Sequence, residues 1–392
     1  MSRSNIMNTY GRFDVVFDKG KGTKVFDKDG VEYIDFVSGV AVNCLGHCNP
    51  KIVATIKNQA EKLIHVSNYY WNQNAMDLAE KLCQNSDHQK VFFCNSGTES
   101  IETALKLGRK YGKLSQKNKG GKNEIIYMDN SFHGRTMGAL SVTGQPKYQE
   151  DFRPLIGNVK SSKFNDINDI TSKINEDTCA VIIEPIQGEG GIICADKEFL
   201  KVVRSLCNEY DALLIFDEVQ CGIGRSGKLF AYQKYGIVPD VVCMAKALGA
   251  GFPIGAVLAT QKAAEAFVPG DHGNTFGGNP LGAAIGCCVL HELIDEKIID
   301  SVDEKAEYIK ARINDLKLKY NCIEETRGMG LLIGIKLSID IKLFVNKCFE
   351  KKLLLITAGD GVVRLLPPLN VSKEDIDAAL DIITKVFEEI SL

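Results

Sequence analysis

The stretch "ALLIFDEVQCGIGRSGKL" (212–229) decides the fold. Its five apolar residues, Ala212 to Phe216, precede an acidic pair, and glycines follow at positions 222, 224 and 227. An unbroken apolar run of this length predicts a strand buried on both faces, as in a parallel sheet. The glycines match two phosphate-loop patterns, so the surrounding residues must decide which chemistry the stretch carries.

Neither phosphate-loop pattern fits its context. Residues 222–228 read as a G-x-x-x-x-G-K loop, but Leu229 stands where a Ser or Thr would hold magnesium. A dinucleotide site needs its first glycine directly after the strand and an acid at the end of the next strand. Here residues 217–221 intervene, and the next apolar run, "VVCMA" (241–245), is followed by Lys246. A nicotinamide-dependent oxidoreductase is therefore disfavoured, and Asp217 and Lys246 remain as candidate chemical groups.

Strands and helices alternate around this stretch. Apolar runs predict further strands at "KVFFCNS" (90–96), "EIIYMDN" (124–130), "CAVIIEP" (179–185) and "GAVLA" (255–259). Amphipathic stretches predict helices at 98–112 and 197–210. The alternation predicts an α/β fold with a mostly parallel central sheet.

The chain divides into three parts by its patterning. We predict an N-terminal segment at 1–48, a large domain at 49–280 that begins with a helix near 50–64, and a smaller C-terminal α+β domain at 281–392. The last part has predicted helices at about 288–319, 341–352 and 373–390 and strands at 330–337 and 361–366.

Composition narrows the class of protein. The 392 residues are 45% apolar and carry a net charge of −3, which is typical of a globular protein. The basic stretch 109–123 lacks interleaved aromatic residues, so it predicts a solvated loop and no nucleic-acid partner. The N-terminal residues lack the apolar core of a signal peptide, and no apolar run reaches the roughly 18 residues that span a bilayer. We expect a cytoplasmic protein without a membrane partner.

The thirteen cysteines form no C-x-x-C pair. In a chain without an export signal this pattern favours free, buried thiols over disulfides. Cys44, His47 and Cys48 resemble metal ligands, but their spacing matches no common zinc site. We therefore predict no metal.

Candidate binding residues cluster at the predicted strand ends, where ligands of open α/β sheets bind. These residues are Ser96, Gly97, Thr98, Phe132, His133, Glu184, Asp217 and Lys246. The stretch "NSGTES" (95–100) offers free amides at a helix start for a phosphate, or a plain capping box of Ser96 with Glu99. Lys246 is either a surface lysine or, beside small residues, an amine that forms an imine. A phosphate site, a buried acid and an amine together fit pyridoxal phosphate.

Two arginines are candidates for binding substrate carboxylates. In "SFHGRT" (131–136), Phe132 could stack on a cofactor ring and Arg135 could bind a carboxylate, or both could be ordinary packing residues. Arg364 lies inside an apolar run and needs a partner, for which Glu189 in "EPIQGEGG" (184–191) is a candidate. The alternative for this pair is a structural ion pair.

Three blocks in order, "LIFDEVQCGIGRSGKLFA", "MAKALGAGFPIGAVLA" and "DHGNTFGGNPLGAA", closely resemble the class III, or ω-amino-acid, pyridoxal-phosphate aminotransferases. Within that family the likeness is to the acetylornithine group, and it runs over nearly the whole chain. The resemblance implies a fold-type I transferase in which Lys246 bonds to the cofactor aldehyde and Asp217 binds the pyridine nitrogen. It also implies that Gln220 lies near the 3′ oxygen, that Phe132 stacks on the ring, and that Gly97 and Thr98 hold the phosphate.

The resemblance also implies which residues contact a second subunit and which contact the substrates. It implies that Thr275 reaches the phosphate of a neighbouring subunit, which makes the protein a homodimer with active sites at the interface. It implies that Arg135 binds the carboxylate farthest from the reacting amine, with Tyr10 nearby. Glu189 would mask Arg364 until glutamate or 2-oxoglutarate arrives.

The expected reaction follows from this resemblance. It is transfer of the terminal amino group of N2-acetylornithine to 2-oxoglutarate, in arginine biosynthesis. Ornithine, 4-aminobutyrate and succinyl-diaminopimelate remain alternative donors, although "DFVSGVAVNCLGH" (35–47) lacks the tyrosine near Gly39 or Val40 that ornithine enzymes tend to carry. An inactive binding protein is disfavoured because both Lys246 and Asp217 are present.

Overall fold

A computed structural model describes residues 5–115 and 121–390. Its strands, numbered in chain order, are β1 Phe17–Lys21, β2 Lys24–Asp27, β3 Glu32–Asp35, β4 Lys90–Cys94, β5 Glu124–Met128, β6 Val159–Ser162, β7 Thr178–Ile183, β8 Ile186–Gln187, β9 Ile193–Cys194, β10 Leu213–Asp217, β11 Val241–Met244, β12 Gly255–Ala259, β13 Ile323–Met329, β14 Leu332–Leu337, β15 Leu353–Leu354, β16 Ile356–Ala358 and β17 Val362–Leu365.

The helices are α1 Ser38–Ala41, α2 Pro50–Ala60, α3 Gln73–Gln84, α4 Gly97–Leu114, α5 Met137–Ser141, α6 Pro146–Gln149, α7 Ile167–Lys173, α8 Lys197–Tyr210, α9 Tyr232–Tyr235, α10 Gln261–Ala264, α11 Pro280–Leu290, α12 Val302–Lys317, α13 Ile341–Glu350 and α14 Lys373–Ile390. Shorter helical turns occur at Glu150–Phe152, Lys246–Gly249, His291–Asp295 and Ile298–Ser301.

The central sheet has seven strands in the order β4-β12-β11-β10-β7-β5-β6. Strand β12 runs antiparallel to both its neighbours, while β11, β10, β7, β5 and β6 pair in parallel. Every residue of β7, β10, β11 and β12 is buried, because their continuous apolar runs are covered on both faces. The predicted mostly parallel α/β fold is confirmed.

The sequence prediction was incomplete in several places. It missed α3, β6 and β13. Strand β6, with the sequence "VKSS", lacks an apolar run, which is possible because it lies at an edge of the sheet. The helix expected over 288–319 was wrong as one element. Instead α11 ends at Leu290, and a left-handed residue, Lys297 with φ 59°, lies between it and α12.

The solvated loop expected over 109–123 was also wrong in part. Helix α4 continues to Leu114, and Lys122 is buried, with its amine donating to the backbone oxygen of Tyr210. Residues 116–120 of that stretch, like residues 1–4 of the N-terminal stretch, lie outside the described part of the chain.

The C-terminal region forms a second, antiparallel sheet in the order β13-β14-β17-β16, with α12 against β13 and α13 and α14 packed together. The N-terminal strands form a further sheet, β1-β2-β3-β15, in which β3 pairs in parallel with β15 from the C-terminal region. This pairing joins the N-terminal strands to the C-terminal region. The division at residues 48 and 280 stays a prediction. Among the described helices, none has both the length and the apolar character to cross a membrane.

Candidate active site

A cavity of ≈490 Å³ opens where the carboxyl ends of β4, β5, β7, β10 and β11 meet. Parallel strands bring their carboxyl ends to one edge of the sheet, so residues far apart in sequence converge there. The predicted site residues that line the cavity are Ser96, Gly97, Thr98, Phe132, His133, Arg135, Glu184, Glu189, Asp217, Gln220 and Lys246. Arg364 lies behind this lining, and Tyr10 and Thr275 lie outside it.

Asp217 is a buried carboxylate at the end of β10. Its Oδ2 lies 2.7 Å from Nδ1 of His133, and its Oδ1 accepts a hydrogen bond from the Val219 amide at 3.0 Å. Both oxygens are therefore held in place. The Nε2 atom of His133 is buried and has no hydrogen-bond partner among the described residues.

Lys246 follows β11, the strand next to β10 in the sheet. It lines the cavity and begins a short helical turn with a left-handed backbone, φ 43°. Burial lowers the pKa of its amine, and the positive charge of Arg364 lowers the pKa further. A lowered pKa makes the neutral, nucleophilic form of the amine more available.

The start of α4 forms another wall of the cavity. Ser96 Oγ accepts from the Glu99 amide at 3.3 Å, and Glu99 Oε2 accepts from the Asn95 amide at 2.7 Å, so the helix start is capped from both sides. The amides of Gly97 and Thr98 open the helix, where no earlier carbonyl of the helix can accept from them. The capping arrangement and an anion site therefore coexist here.

Phe132 and Glu184 are linked at the ends of β5 and β7. Glu184 is buried, and its carboxylate accepts from the Phe132 amide at 2.9 Å and from the Gly188 amide at 3.2 Å. Burial raises the pKa of Glu184 to about 7, and the charge of Asp217 adds to this, while His133 opposes it. Glu184 thus fixes the loop that presents Phe132 to the cavity.

Arg364 lies on β17 and is 2% exposed. Its Nη1 donates to Glu189 Oε1 at 2.7 Å and to Gln220 Oε1 at 2.9 Å. The partner that a buried arginine requires is therefore Glu189, as the sequence predicted, with Gln220 in addition. Its Nε has no hydrogen-bond partner within the described residues.

The three remaining predicted residues are exposed. Arg135 lies at the cavity, with its Cζ 3.7 Å from the ring centroid of Tyr148 and 5.5 Å from that of Phe132. Tyr10 is 69% exposed and contacts Arg12. Thr275 is exposed in the loop before α11. Neither Tyr10 nor Thr275 lines the cavity of this single chain.

Sequence reasoning missed other lining residues, namely Val42, Asn95, Gly134, Val219, Ala245, Gly251, Phe252, Pro253 and Ile254. A signal existed for Val219, which lies two residues after Asp217, and for Asn95 and Ala245, which flank named residues. No local signal marked Val42, because it reaches the cavity from the N-terminal segment through long-range packing.

The glycines of the opening stretch serve packing. A side chain at Gly224 would meet Leu369 Cδ1 at 2.8 Å, and one at Gly227 would meet Asp303 Oδ1 at 2.2 Å. Nearby, Arg225 is fully buried and donates to the Leu331 carbonyl at 3.0 Å. The loop after β10 therefore joins the two sheets, and its glycines do not line the cavity.

Two of the three ligand-like residues near position 45 make other contacts, and the third, Cys48, is exposed. His47 Nε2 lies 2.7 Å from Asp35 Oδ2, and the thiol of Cys44 is buried and donates to the Ala247 carbonyl at 3.3 Å. The absence of a metal stays a prediction.

Comparison with known proteins places this site in a family. The family model for class-III aminotransferases matches residues 6–387. A protein from Clostridium acetobutylicum named acetylornithine aminotransferase is 67% identical over 99% of both chains. The structure is similar to an ornithine aminotransferase from Toxoplasma gondii, at 32% identity and TM-score 0.94 over 99% of this chain and 93% of that one. It is also similar to an N-acetylornithine aminotransferase from Stenotrophomonas maltophilia, at 36% identity and TM-score 0.85 over 97% of each.

The chain belongs to the class-III aminotransferases, and its fold is that of the fold-type I transferases. Enzymes of this family use pyridoxal 5′-phosphate. The residues present fit that cofactor: a buried carboxylate fixed by His133, an amine with a lowered pKa, and open amides at the start of α4 all meet at one cavity.

Proposed function

We propose that the protein transfers the terminal amino group of N2-acetylornithine to 2-oxoglutarate. The products are N-acetylglutamate 5-semialdehyde and glutamate, in a step of arginine biosynthesis. The observation that carries this proposal is the 67% identity, over the whole length of both chains, with the Clostridium acetobutylicum protein named acetylornithine aminotransferase. The cavity supports the reaction type, because it combines an amine, a fixed carboxylate and an anion site.

Each part of the cofactor has a residue to hold it. Bound pyridoxal phosphate supplies an aldehyde that takes up the amino group and a ring that withdraws electrons from the adjacent carbon. We assign the ring nitrogen to Asp217, the ring face to Phe132, the 3′ oxygen to Gln220 and covalent attachment to Lys246. The phosphate goes to Ser96, Gly97 and Thr98. His133 and Glu184, which also line the cavity, fix Asp217 and the Phe132 loop.

Lys246 is also the group placed to move a proton. Its lowered pKa makes a neutral amine available at Nζ. Such an amine can accept a proton from the substrate carbon that bears the reacting nitrogen and can return it elsewhere. Arg364 contributes to this, because its charge disfavours protonation of the amine.

The Glu189–Arg364 pair explains how one cavity accepts two unlike substrates. Acetylornithine presents an uncharged methylene beside its reacting amine, where glutamate presents a carboxylate. With Glu189 bound at 2.7 Å, Arg364 offers acetylornithine a neutralised wall. A glutamate carboxylate can draw the arginine away through a charge-assisted contact.

Separate half-reactions test this exchange. Glu189→Gln should improve the glutamate half-reaction relative to the acetylornithine one, because the arginine is uncovered. Arg364→Ala should damage mainly the glutamate and 2-oxoglutarate side, by roughly 2 to 5 kcal/mol. Stopped-flow measurement resolves the two halves. If both variants slow the two half-reactions equally, the Glu189–Arg364 pair is a structural ion pair and does not select between substrates.

Arg135 is the proposed ligand for the distal carboxylate of acetylornithine. It lies at the cavity, and no ion pair engages it among the described residues. Tyr10 stays a proposed neighbour of that carboxylate, although it lies outside the cavity as described.

The substrate assignment is tested by kinetics. We expect kcat/KM for N2-acetylornithine to exceed that for ornithine, 4-aminobutyrate and succinyl-diaminopimelate, with 2-oxoglutarate as acceptor. The cofactor assignment has an independent readout: borohydride reduction should add the cofactor mass to the peptide that contains Lys246. A higher kcat/KM for another donor would overturn the acetylornithine proposal and leave the cofactor assignment standing.

Ornithine is the second candidate donor. The Toxoplasma gondii ornithine aminotransferase matches this chain with TM-score 0.94, but at 32% identity. Val42 lies within the segment 35–47 that lacks the tyrosine of ornithine enzymes, and it lines the cavity, so that segment can influence substrate choice. The lower identity and the missing tyrosine favour acetylornithine.

Assembly and location belong to the same proposal. We propose a homodimer with Thr275 acting at the partner's cofactor site, supported by its exposure and its position outside the cavity of its own chain. We also propose a cytoplasmic location, supported by thirteen free cysteines, which are typical of reducing compartments. Cell fractionation would test the location.

A further inference from the structure

The ring of Tyr148 lies beneath the guanidinium of Arg135. The Arg135 Cζ is 3.7 Å from the centroid of the Tyr148 ring, which is direct contact with its face. Phe132 meets the same ring edge-on, at 6.1 Å between centroids and 82° between planes. Tyr148 therefore contacts both the proposed ring-stacking residue and the proposed carboxylate ligand, although it does not line the cavity.

These aromatic faces are the contacts that hold Arg135. Within residues 5–115 and 121–390, no carboxylate pairs with Arg135 and no hydrogen bond fixes it. Its N–H donors therefore stay available. A long, exposed side chain loses rotamer freedom when it binds a ligand, and stacking on a fixed ring removes part of that loss in advance.

Tyr148 is itself anchored by its short helix. Its amide donates to the Gln145 carbonyl at 3.0 Å in the turn that begins α6. The next residue, Gln149, is buried and donates to the carbonyls of Leu140 at 3.0 Å and Thr143 at 2.9 Å. The ring therefore stands on a segment tied to the core and forms a fixed platform for Arg135.

We propose that Tyr148 is a positioning residue that orients Arg135 toward the distal carboxylate of the amino donor and thereby contributes to substrate selection. The proposal rests on the function proposed above. It predicts an effect confined to donors that carry that carboxylate, because Arg135 links Tyr148 to the substrate, whereas Phe132 serves the cofactor ring that all donors share.

The test compares two donors that differ by one carboxylate. N-acetyl-1,4-diaminobutane is acetylornithine without its carboxylate. In the holoenzyme, Tyr148→Leu should raise KM for acetylornithine about tenfold with kcat within about twofold. The kcat/KM for the decarboxylated donor should stay unchanged. Tyr148→Phe keeps the ring face and should restore KM to within about twofold of the original enzyme.

A binding readout separates positioning from chemistry. N2-acetylnorvaline keeps the acetyl and carboxylate groups but lacks the reacting amine. Its Kd for the holoenzyme, measured by calorimetry, should weaken about tenfold in Tyr148→Leu and stay close to the original value in Tyr148→Phe. The control is Phe152→Leu, at an exposed aromatic just beyond α6, which should change neither Kd nor KM.

Three outcomes contradict the proposal. If Tyr148→Leu weakens both donors equally, or if Phe152→Leu has the same effect, Tyr148 only supports local packing. If Tyr148→Leu leaves the KM for acetylornithine unchanged, the Tyr148 ring does not position Arg135. If the original enzyme prefers another donor, the substrate proposal fails by itself, and the Tyr148 comparison is repeated with that donor and its decarboxylated analogue.

Discussion

At the scale of single residues, three groups of the proposed site are each held by a neighbouring side chain. Asp217 is fixed by His133, Phe132 by Glu184, and Arg364 by Glu189. Such supporting contacts fix orientation before a ligand arrives, which reduces the cost of binding and reorganisation. Substitutions that remove a charge but keep the size of the side chain should therefore change the activity.

The exchange Asp217→Asn makes such a change. The amide has nearly the size of the carboxylate, so the cofactor should remain bound. It stabilises a protonated ring far less, so turnover should fall by about a hundredfold or more. Absorbance of the bound cofactor and steady-state kinetics measure the two effects on one sample. Near-normal turnover in a pure variant would contradict the role assigned to Asp217.

Glu218 gives a pH-dependent stability that can be measured. It is fully buried, and its carboxylate accepts from the amides of Ala231 at 2.5 Å and Tyr232 at 2.8 Å. Burial raises its pKa from 4.5 to about 8. Between about pH 4.5 and pH 8 the folded protein therefore holds a proton that the unfolded chain releases. The free energy of unfolding should fall as the pH rises through this range, by at most about 1.4 kcal/mol per pH unit from this group.

The matching variant is Glu218→Gln, which cannot titrate. Its Tm should rise relative to that of the original protein as the pH goes from 5.5 to 8. The exposed Glu176→Gln serves as the control and should follow the original protein across the range. A Tm difference for Glu218→Gln that stays constant with pH would show that this carboxyl does not titrate there.

The sequence alone identified many residues of the proposed site but missed Tyr148. It named Lys246, Asp217 and Arg364 because charged residues at the ends of, or within, apolar strands are unusual. It missed Tyr148, because a tyrosine in a short polar stretch has no distinguishing pattern. Its role depends on a contact with Arg135 across a turn, which only folding creates.

At the scale of elements, the start of α4 combines three constraints. Ser96 caps the helix, the first amides open onto the cavity, and Gly97 lies against the loop after β10. A side chain at Gly97 would place its Cβ 2.6 Å from Val219 Cγ1. The amide of Val219 in turn binds Asp217, so crowding at α4 reaches the carboxylate.

The exchange Gly97→Ala should therefore weaken cofactor binding. Overpacking of this kind costs about 1 to 3 kcal/mol, which corresponds to a rise of roughly 5- to 160-fold in the Kd for pyridoxal phosphate. Titration of the apoenzyme, followed by absorbance, measures it. Gly157→Ala is the control, since nothing lies within 4 Å of a side chain there. Equal Kd values for the two variants would show that α4 and the loop have room to separate.

Most strands of the central sheet were predictable from their burial. The strands β5, β7, β10, β11 and β12 were found from apolar runs, because nearly all their residues are buried. The edge strand β4 was also found, because its sequence is apolar although most of its residues are only partly buried. Strand β6 was missed because an edge strand with one neighbour can be polar. Helix α11 was misjudged because it is apolar over most of its surface and packs against both α2 and α3, so it shows no amphipathic period.

At the scale of the whole molecule, one exposed aromatic surface lies outside the cavity. Tyr69, Trp71 and Phe276 are 92%, 89% and 59% exposed. Asn68 joins their two loops by donating to the Asn274 and Gly277 carbonyls, each at 3.1 Å. An exposed apolar patch of this kind is typical of a protein interface. Thr275 lies in the second of these loops, which supports the proposal that the surface is covered by a second subunit.

Mixed dimers test that proposal directly. Lys246→Ala and Thr275→Ala should each be inactive, because one lacks the reactive amine and the other lacks a phosphate contact at both sites. If Thr275 serves the partner's site, a dimer with one chain of each kind has one site with both defects and one intact site. Random exchange of equal amounts makes half the dimers mixed, so activity should recover to about a quarter of the original enzyme's.

The control is a mixture of Lys246→Ala with Asp217→Asn, whose changes both lie at the cavity of their own chain. In that mixture each site of a mixed dimer keeps one defect, so no activity should return beyond the residual activity of Asp217→Asn. Subunit exchange is followed by mass spectrometry. Full exchange without recovered activity would place Thr275 at the site of its own chain and remove the reason for an interface between the two active sites.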